Sequence, residues 1–207
     1  MEIIDFYYSI GSRYSYLAFT QIEKLEQEAE CSIQLNPVNS LAILSKREGN
    51  PFDVSVSSGQ YDWGYRELDA KRWAGFYDVP FIEPRGRVKF DSELIALAAV
   101  AAKRLGVVRE YSNELYKAMF ADPKVISIDK SECIRRALSC SIPEAEFIDA
   151  LESIDTANEL ARTLEKCSSI NIFGVPTYVV GDQQFWGNDR IALVRHHIKY
   201  NKMGKKL

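Results

Sequence analysis

The strand signal in this chain is confined to its two ends, and no other feature constrains the fold as much. Residues 2–8, EIIDFYY, are aromatic and β-branched and predict a strand. Over residues 13–29 apolar side chains recur at Tyr14, Leu17, Ala18, Ile22, Leu25 and Ala29, with charged residues between them, which predicts a helix. Residues 32–36, SIQLN, alternate and predict a second strand. Strand, helix and strand in that order form a βαβ unit with a parallel pair. At the other end PTYVV (176–180) predicts a strand, GDQQ (181–184) a turn, and FWG the return of a hairpin. NDRIALVRHHIKY follows as a helix capped by Asn188 or Asp189.

The middle reads differently. Residues 40–60 are polar and rich in Gly, Pro and Ser, a long connection. Helical patterning then covers 62–77, 90–106 with Gly106 as C-cap, and 108–121, which Asp122-Pro123 ends. It continues over 129–139, over 143–152 opened by Ser141 with Pro143 in its first turn, and over 155–168. Residues 38–168 carry almost no strand signal. The layout predicts an α/β protein with a thioredoxin-like fold, residues 1–37 and 169–207, interrupted by a large all-helical insertion, residues 38–168.

Composition narrows the function. A chain of 207 residues can bury a sizeable core. The net charge of −3 lacks the basic excess that a phosphate-tracking surface needs, so no nucleic-acid partner is expected. The short basic stretch Lys199 to Lys206 reads as a solvated tail. The N-terminus has no signal-peptide pattern, and the longest apolar run, LIALAAVAAKRLG, breaks at Lys103. A cytoplasmic protein with no membrane partner is therefore expected. Cys31, Cys133, Cys140 and Cys167 are scattered, with no CxxC pair, and read as reduced structural residues. The two histidines, His196 and His197, are adjacent and point about 100° apart on a helix, which argues against a Ser-His-Asp triad or a zinc site. No metal is expected.

Two motifs carry chemistry. In GSRYSYLA (11–18) Ser12 stands where the first helix begins, beside unpaired N–H groups and the positive end of the helix dipole. Such a place holds an anion; alternatively Ser12 simply caps the helix. In FGVPT (173–177) Pro176 precedes a strand. It is either an ordinary trans proline or a cis one. In the cis form Val175 would turn its backbone N–H and C=O outward beside the first helix, where an extended peptide can pair with them.

The segments FYYSIGSRYSYLA, GNP, DAKRWAGFYDVP, FGVPTYVVGD and FWGNDRI occur in this order. With them the chain resembles the 2-hydroxychromene-2-carboxylate isomerase family, which is similar to kappa-class glutathione transferases, in the disulfide-oxidoreductase branch of the thioredoxin fold. The resemblance implies a glutathione-dependent isomerase of an aromatic, chromene carboxylate-type substrate, or a glutathione transferase, working as a homodimer in aromatic compound catabolism. Where disulfide-oxidoreductase relatives carry Cys-x-x-Cys, this chain has Ser12 and Ser15, so dithiol chemistry is lost at the turn. By resemblance Ser12 is the catalytic residue and holds the glutathione thiolate, while Asn50, Val175, Pro176, Trp186, Gly187, Asn188 and Asp189 bind the rest of glutathione. Arg13 and Tyr65 are the substrate candidates. Tyr65, Asp69, Arg72 and Trp73 share a helical side that either lines a pocket or packs with an Asp69–Arg72 pair. The chain departs from the family pattern in three places. Ser9-Ile10-Gly11 precede Ser12, Arg13 replaces a proline, and Asp62 stands where a lysine is expected. These departures keep a second reading open, a catalytically degenerate thioredoxin-fold binding protein.

Overall fold

The computed structural model describes residues 1–45 and 62–202. Asn50 lies outside the described residues. At the centre β1 (Glu2–Tyr8) runs parallel to β2 (Cys31–Pro37) and antiparallel to β5 (Thr177–Val180), and β6 (Gln183–Trp186) completes a four-stranded sheet in the order β2-β1-β5-β6. Ile4, Phe6, Tyr7 and Tyr8 are fully buried, which is why β1 reads as a continuous apolar run: both faces of the central strand are covered.

The predicted first helix is two helices, α1 (Arg13–Phe19) and α2 (Ile22–Ala29). The break has a local cause. The Thr20 hydroxyl donates back to the Leu17 carbonyl at 2.8 Å, and the Gln21 N–H turns to the Ala18 carbonyl at 3.0 Å. The apolar face continues across it through Ile22, Leu25 and Ala29, so periodicity alone does not reveal the break.

The insertion holds the expected helices, α4 (Trp63–Tyr77), α5 (Ser92–Arg104), α6 (Val108–Phe120), α7 (Lys130–Ser139), α8 (Glu144–Glu152) and α9 (Ile154–Ser169), and before them α3 (Ser40–Ser45), where a connection was expected. It also holds a two-residue parallel ladder, β3 (Lys89–Phe90) with β4 (Ser127–Ile128), too short to leave a periodic signal. Ser141 does not open α8. It sits at φ 62, and Pro143 occupies the N-cap with no side-chain bond. Neither Asn188 nor Asp189 caps the last helix. Residues Asn188–Arg190 form a 3-10 turn with no side-chain cap, and α10 (Ile191–Lys202) follows.

The sheet and the insertion share one core. Ile4, Phe6 and Tyr8 of β1 belong to the same buried cluster as Phe19, Tyr116 and Phe120. Buried Ala98, Ala99, Ala101 and Ala102 line α5, whose small side chains allow close approach of its neighbours. Two buried tyrosine hydroxyls serve as ties across this core. Tyr8 Oη lies 2.7 Å from Ser112 Oγ, and Tyr116 Oη donates to the Ser9 carbonyl at 3.2 Å. The second bond joins α6 to the turn that follows β1.

Candidate active site

That turn is built from serine hydroxyls. Ser12 is the N-cap of α1, extended at φ −98 and ψ 118. Its Oγ accepts the Ser15 N–H at 3.2 Å, and its carbonyl accepts the Tyr16 N–H at 2.9 Å. Ser15 is 0% exposed, and its Oγ accepts the Ser9 N–H at 3.3 Å. The two serines thus divide the work. Ser15 is an internal brace out of reach of any ligand. Ser12 is partly exposed, and its Oγ serves as acceptor in the cap, so its hydroxyl proton is not used by that bond.

Sheet register brings the second motif to the same place. Tyr7 pairs with Thr177, so Pro176 and Val175 lie just past the last pair, level with the start of the turn. The Val175–Pro176 bond is cis. Among the described residues nothing pairs with the backbone N–H or C=O of Val175. The 3-10 turn packs against α1 from the other side. There Asn188 is buried, its carbonyl accepts the Tyr77 hydroxyl at 3.0 Å, and its Nδ2 has no hydrogen-bond partner. Asp189 is exposed and lies 3.4 Å from Arg190. Gly187 stands at φ 125, a backbone conformation that side-chain-bearing residues rarely adopt, and this requires the glycine.

Trp186 does not fill the core. It is 49% exposed and packs edge-on against Phe173, with ring centroids 5.0 Å apart. Its indole edge lies where a Cβ on Gly174 would be, 2.8 Å from Nε1. Register thus sets Val175 and Pro176 level with the turn after β1, Trp186 pairs with Thr177 next to Pro176, and the 3-10 turn Asn188–Arg190 contacts α1.

The two substrate candidates are placed differently. Arg13 is only 8% exposed, and its Nη2 pairs with Glu83 Oε1 at 2.9 Å. Burial pulls the Arg13 pKa down, the Glu83 carboxylate opposes this, and the neighbouring Arg66 adds to it. The loss of the family proline does not displace the helix, which starts at Arg13 and is pinned there by Glu83. Tyr65 is exposed on the first turn of α4, its N–H held by the Asp62 cap at 2.8 Å. Asp62, in the place of an expected lysine, is thus a helix cap. Asp69 accepts the Tyr14 hydroxyl at 2.9 Å, and no Asp69–Arg72 pair is found among the described residues. Burial, with the Asp69 carboxylate, pushes the Tyr14 pKa up to about 12, so its hydroxyl stays protonated at neutral pH.

Sequence reasoning missed the neighbours that the insertion supplies. Trp63 gathers three guanidinium groups, with Arg13, Arg66 and Arg85 at 5.4, 5.0 and 4.7 Å from its ring centre. This places positive charge beside the start of α1. Phe90 lies on Gly11, the residue before Ser12. A Cβ on Gly11 would stand 3.0 Å from the Phe90 ring. Its one sequence signal was its place directly before the Asp91 cap of α5. Among the described residues no His/Cys/Asp/Glu group could hold a metal ion, and no helix is long and apolar enough to cross a membrane.

A thioredoxin-like sheet, a strand-to-helix turn and a facing cis-proline define a member of the disulfide-oxidoreductase branch of that fold, here with no thiol at the turn. The chain belongs to the DSBA-like thioredoxin domain family, whose model matches residues 3–199. It is 24% identical over 198 residues to a 2-hydroxychromene-2-carboxylate isomerase of Pseudomonas sp. (strain C18), covering 95% of this chain and 90% of that protein. It is 24% identical over 212 residues to glutathione S-transferase kappa 1 of Caenorhabditis elegans, covering 92% and 88%. Among solved structures, a 2-hydroxychromene-2-carboxylate isomerase superposes with a TM-score of 0.81 at 22% identity, covering 98% of this chain and 97% of that one. The resemblance read from the motifs is thereby shown, and the named relatives are isomerases and a glutathione transferase.

Proposed function

We propose that this chain is a glutathione-dependent enzyme, an isomerase of a chromene carboxylate-type substrate or a kappa-like transferase. One observation carries the reading most directly. The turn that holds two thiols in dithiol relatives here holds a partly exposed cap serine whose hydroxyl proton the cap does not use, and the neighbouring Val175 has an unpaired peptide edge. Such a turn has no sulfur of its own and is suited to receive one.

The residues fit a small peptide with charged ends. The free N–H and C=O of Val175 suit an extended backbone. The unpartnered Asn188 Nδ2 is a buried donor in want of an acceptor, and a peptide carboxylate at the 188–190 turn supplies one. Asp189 is the counter-charge for an ammonium group. Trp186 and Gly187 shape the wall beside it, and Asn50 joins the set by resemblance. When bound, glutathione would supply the sulfur nucleophile that adds to a conjugated aromatic substrate and, in the isomerase, leaves again after a bond has rotated. Ser12 donates its hydroxyl proton toward the sulfur while still capping α1. The α1 dipole and the Trp63 arginines favour the anionic form of the thiol. Arg13 acts through charge rather than by contact, and Tyr65 stands at the outer rim. The same reading includes a small aromatic substrate, a homodimer and a cytoplasmic setting.

Calorimetric titration with glutathione tests it, with Asp189→Ala alongside. Saturable binding that weakens in the variant is expected. A folded protein that binds no glutathione at millimolar concentration would remove the enzyme reading in favour of a thioredoxin-fold binding protein.

A further inference from the structure

The segment from Glu83 to Phe90 brackets Ser12. At one end Glu83 grips Arg13, the residue after it. At the other end Phe90 covers Gly11, the residue before it. The segment is rigidly held. Arg87 donates to the carbonyls of Met119, Asp122 and Val125 at 2.6, 3.0 and 2.8 Å, and Phe90 is paired in the β3–β4 ladder. Yet the Phe90 side chain is 40% exposed. A phenyl ring held in place beside a candidate sulfur site, with part of its face open, offers a surface on which a second aromatic ring can stack.

There is a plain structural role to set against this. Phe90 precedes the Asp91 cap of α5 and Ile95 is four residues past that cap, the two apolar positions of a hydrophobic staple. Both side chains lie against Gly11. A staple needs only apolar bulk at Phe90, and leucine would serve. It does not call for an exposed aromatic face.

Building on the glutathione reading, we propose that Phe90 is the surface on which the aromatic ring of the electrophile stacks, with Gly11 kept bare so that the ring can sit against the turn. Neither the motifs nor the resemblance pointed to this residue. The reaction of a model electrophile states the demand on it. With 1-chloro-2,4-dinitrobenzene the thiolate sulfur forms a bond to the ring carbon and chloride leaves with its electron pair, with no change of oxidation state. The ring must therefore lie next to the sulfur, and hence next to Gly11 and Phe90.

The test uses the full chain and binding rather than turnover. Dissociation constants are measured by calorimetry for S-(2,4-dinitrophenyl)glutathione and for S-hexylglutathione, in wild type, Phe90→Leu and Phe90→Trp. The leucine variant keeps the staple and removes the aromatic face. The ratio of the two constants should shift against the dinitrophenyl conjugate by about 3- to 10-fold in Phe90→Leu and be restored in Phe90→Trp. Equal weakening of both conjugates with a lowered melting temperature would leave Phe90 as a staple and overturn the proposal. So would an unchanged ratio. A shift of Phe90→Asp to a smaller particle on gel filtration would overturn it too, assigning the ring to a contact between copies. If glutathione and both conjugates all fail to bind, the glutathione reading falls and takes the stacking role with it, an outcome distinct from a failed ratio in a protein that binds.

Discussion

Ser12 has an observed role as a cap and a proposed one at the sulfur, and one pair of substitutions separates them. Its Oγ accepts the Ser15 N–H at 3.2 Å from an extended backbone, which makes it a helix cap whatever else it does. Ser12→Ala removes that acceptor and should cost about 1 kcal/mol. For a chain of this length that lowers Tm by roughly 2–4 °C. Ser12→Asp keeps an acceptor at the same place and adds a negative charge to the positive end of α1, a gain of about 0.3–1 kcal/mol. Its stability should equal or exceed that of wild type. The ligand responds in the opposite sense. Alanine removes the one hydroxyl proton offered to the sulfur, a charge-assisted bond worth about 1.5–3 kcal/mol. The pKa of bound glutathione thiol should then rise by about one to two. Aspartate has no proton to donate at neutral pH and repels the thiolate, so its effect on the thiol should be larger than alanine's. Thermal melts followed by titration of thiolate absorbance with glutathione bound read both quantities on the same samples. An aspartate variant that ionises bound glutathione as wild type does would refute the contact to sulfur. An alanine variant that melts at the wild-type temperature would refute the cap.

Arg13→Met leaves the nearly buried Glu83 carboxylate without its partner and should destabilise by about 3 kcal/mol in denaturant melts, while Arg13→Met with Glu83→Leu should recover most of that loss. Gly174→Ala places a methyl 2.8 Å from Trp186 Nε1; because the indole is half-exposed it should swing aside, changing tryptophan fluorescence and weakening glutathione binding with little loss of stability. Native protein treated with iodoacetamide at pH 8 should react slowly and only at Cys140, since Cys31, Cys133 and Cys167 are buried and burial pushes the Cys133 pKa up to about 12. Rapid labelling at any of these three would contradict the structural role assigned to them.

What the sequence made legible is local. The β1 run, the alternating β2 and the hairpin of β5 and β6 each announce themselves by composition and period, although the turn read over 181–184 is shorter, because the polar Gln183 and Gln184 already pair with Val180 and Val179. Ser12 is visible as a cap because the chemistry of a helix start is written in one residue. What was hidden depends on contacts far apart in the chain. The break at Thr20 is a single back-bond inside an unbroken apolar face. The 3-10 turn at Asn188–Arg190 has the residues of a helix cap but no cap bond, and one tie is the Tyr77 hydroxyl 111 positions away.

The same distinction explains why the partner of Arg13 was not legible from its neighbours in sequence. Beside Ser12 an arginine reads as a charge facing the sulfur or the substrate. Its actual partner, Glu83, is 70 residues away, and the pair is buried. A proline at this position would hold the helix start by fixing its own backbone angle. Here an ion pair to the insertion holds it, so the geometry of the turn depends on a segment that also carries Phe90 to Gly11. One stretch, Glu83 to Phe90, thus contacts the residues on both sides of Ser12, and on the proposed reading a change there reaches both the orientation of the sulfur and access to it. Substitutions at Glu83 should alter stability and thiol ionisation together, whereas substitutions at Phe90 should alter the choice of electrophile alone.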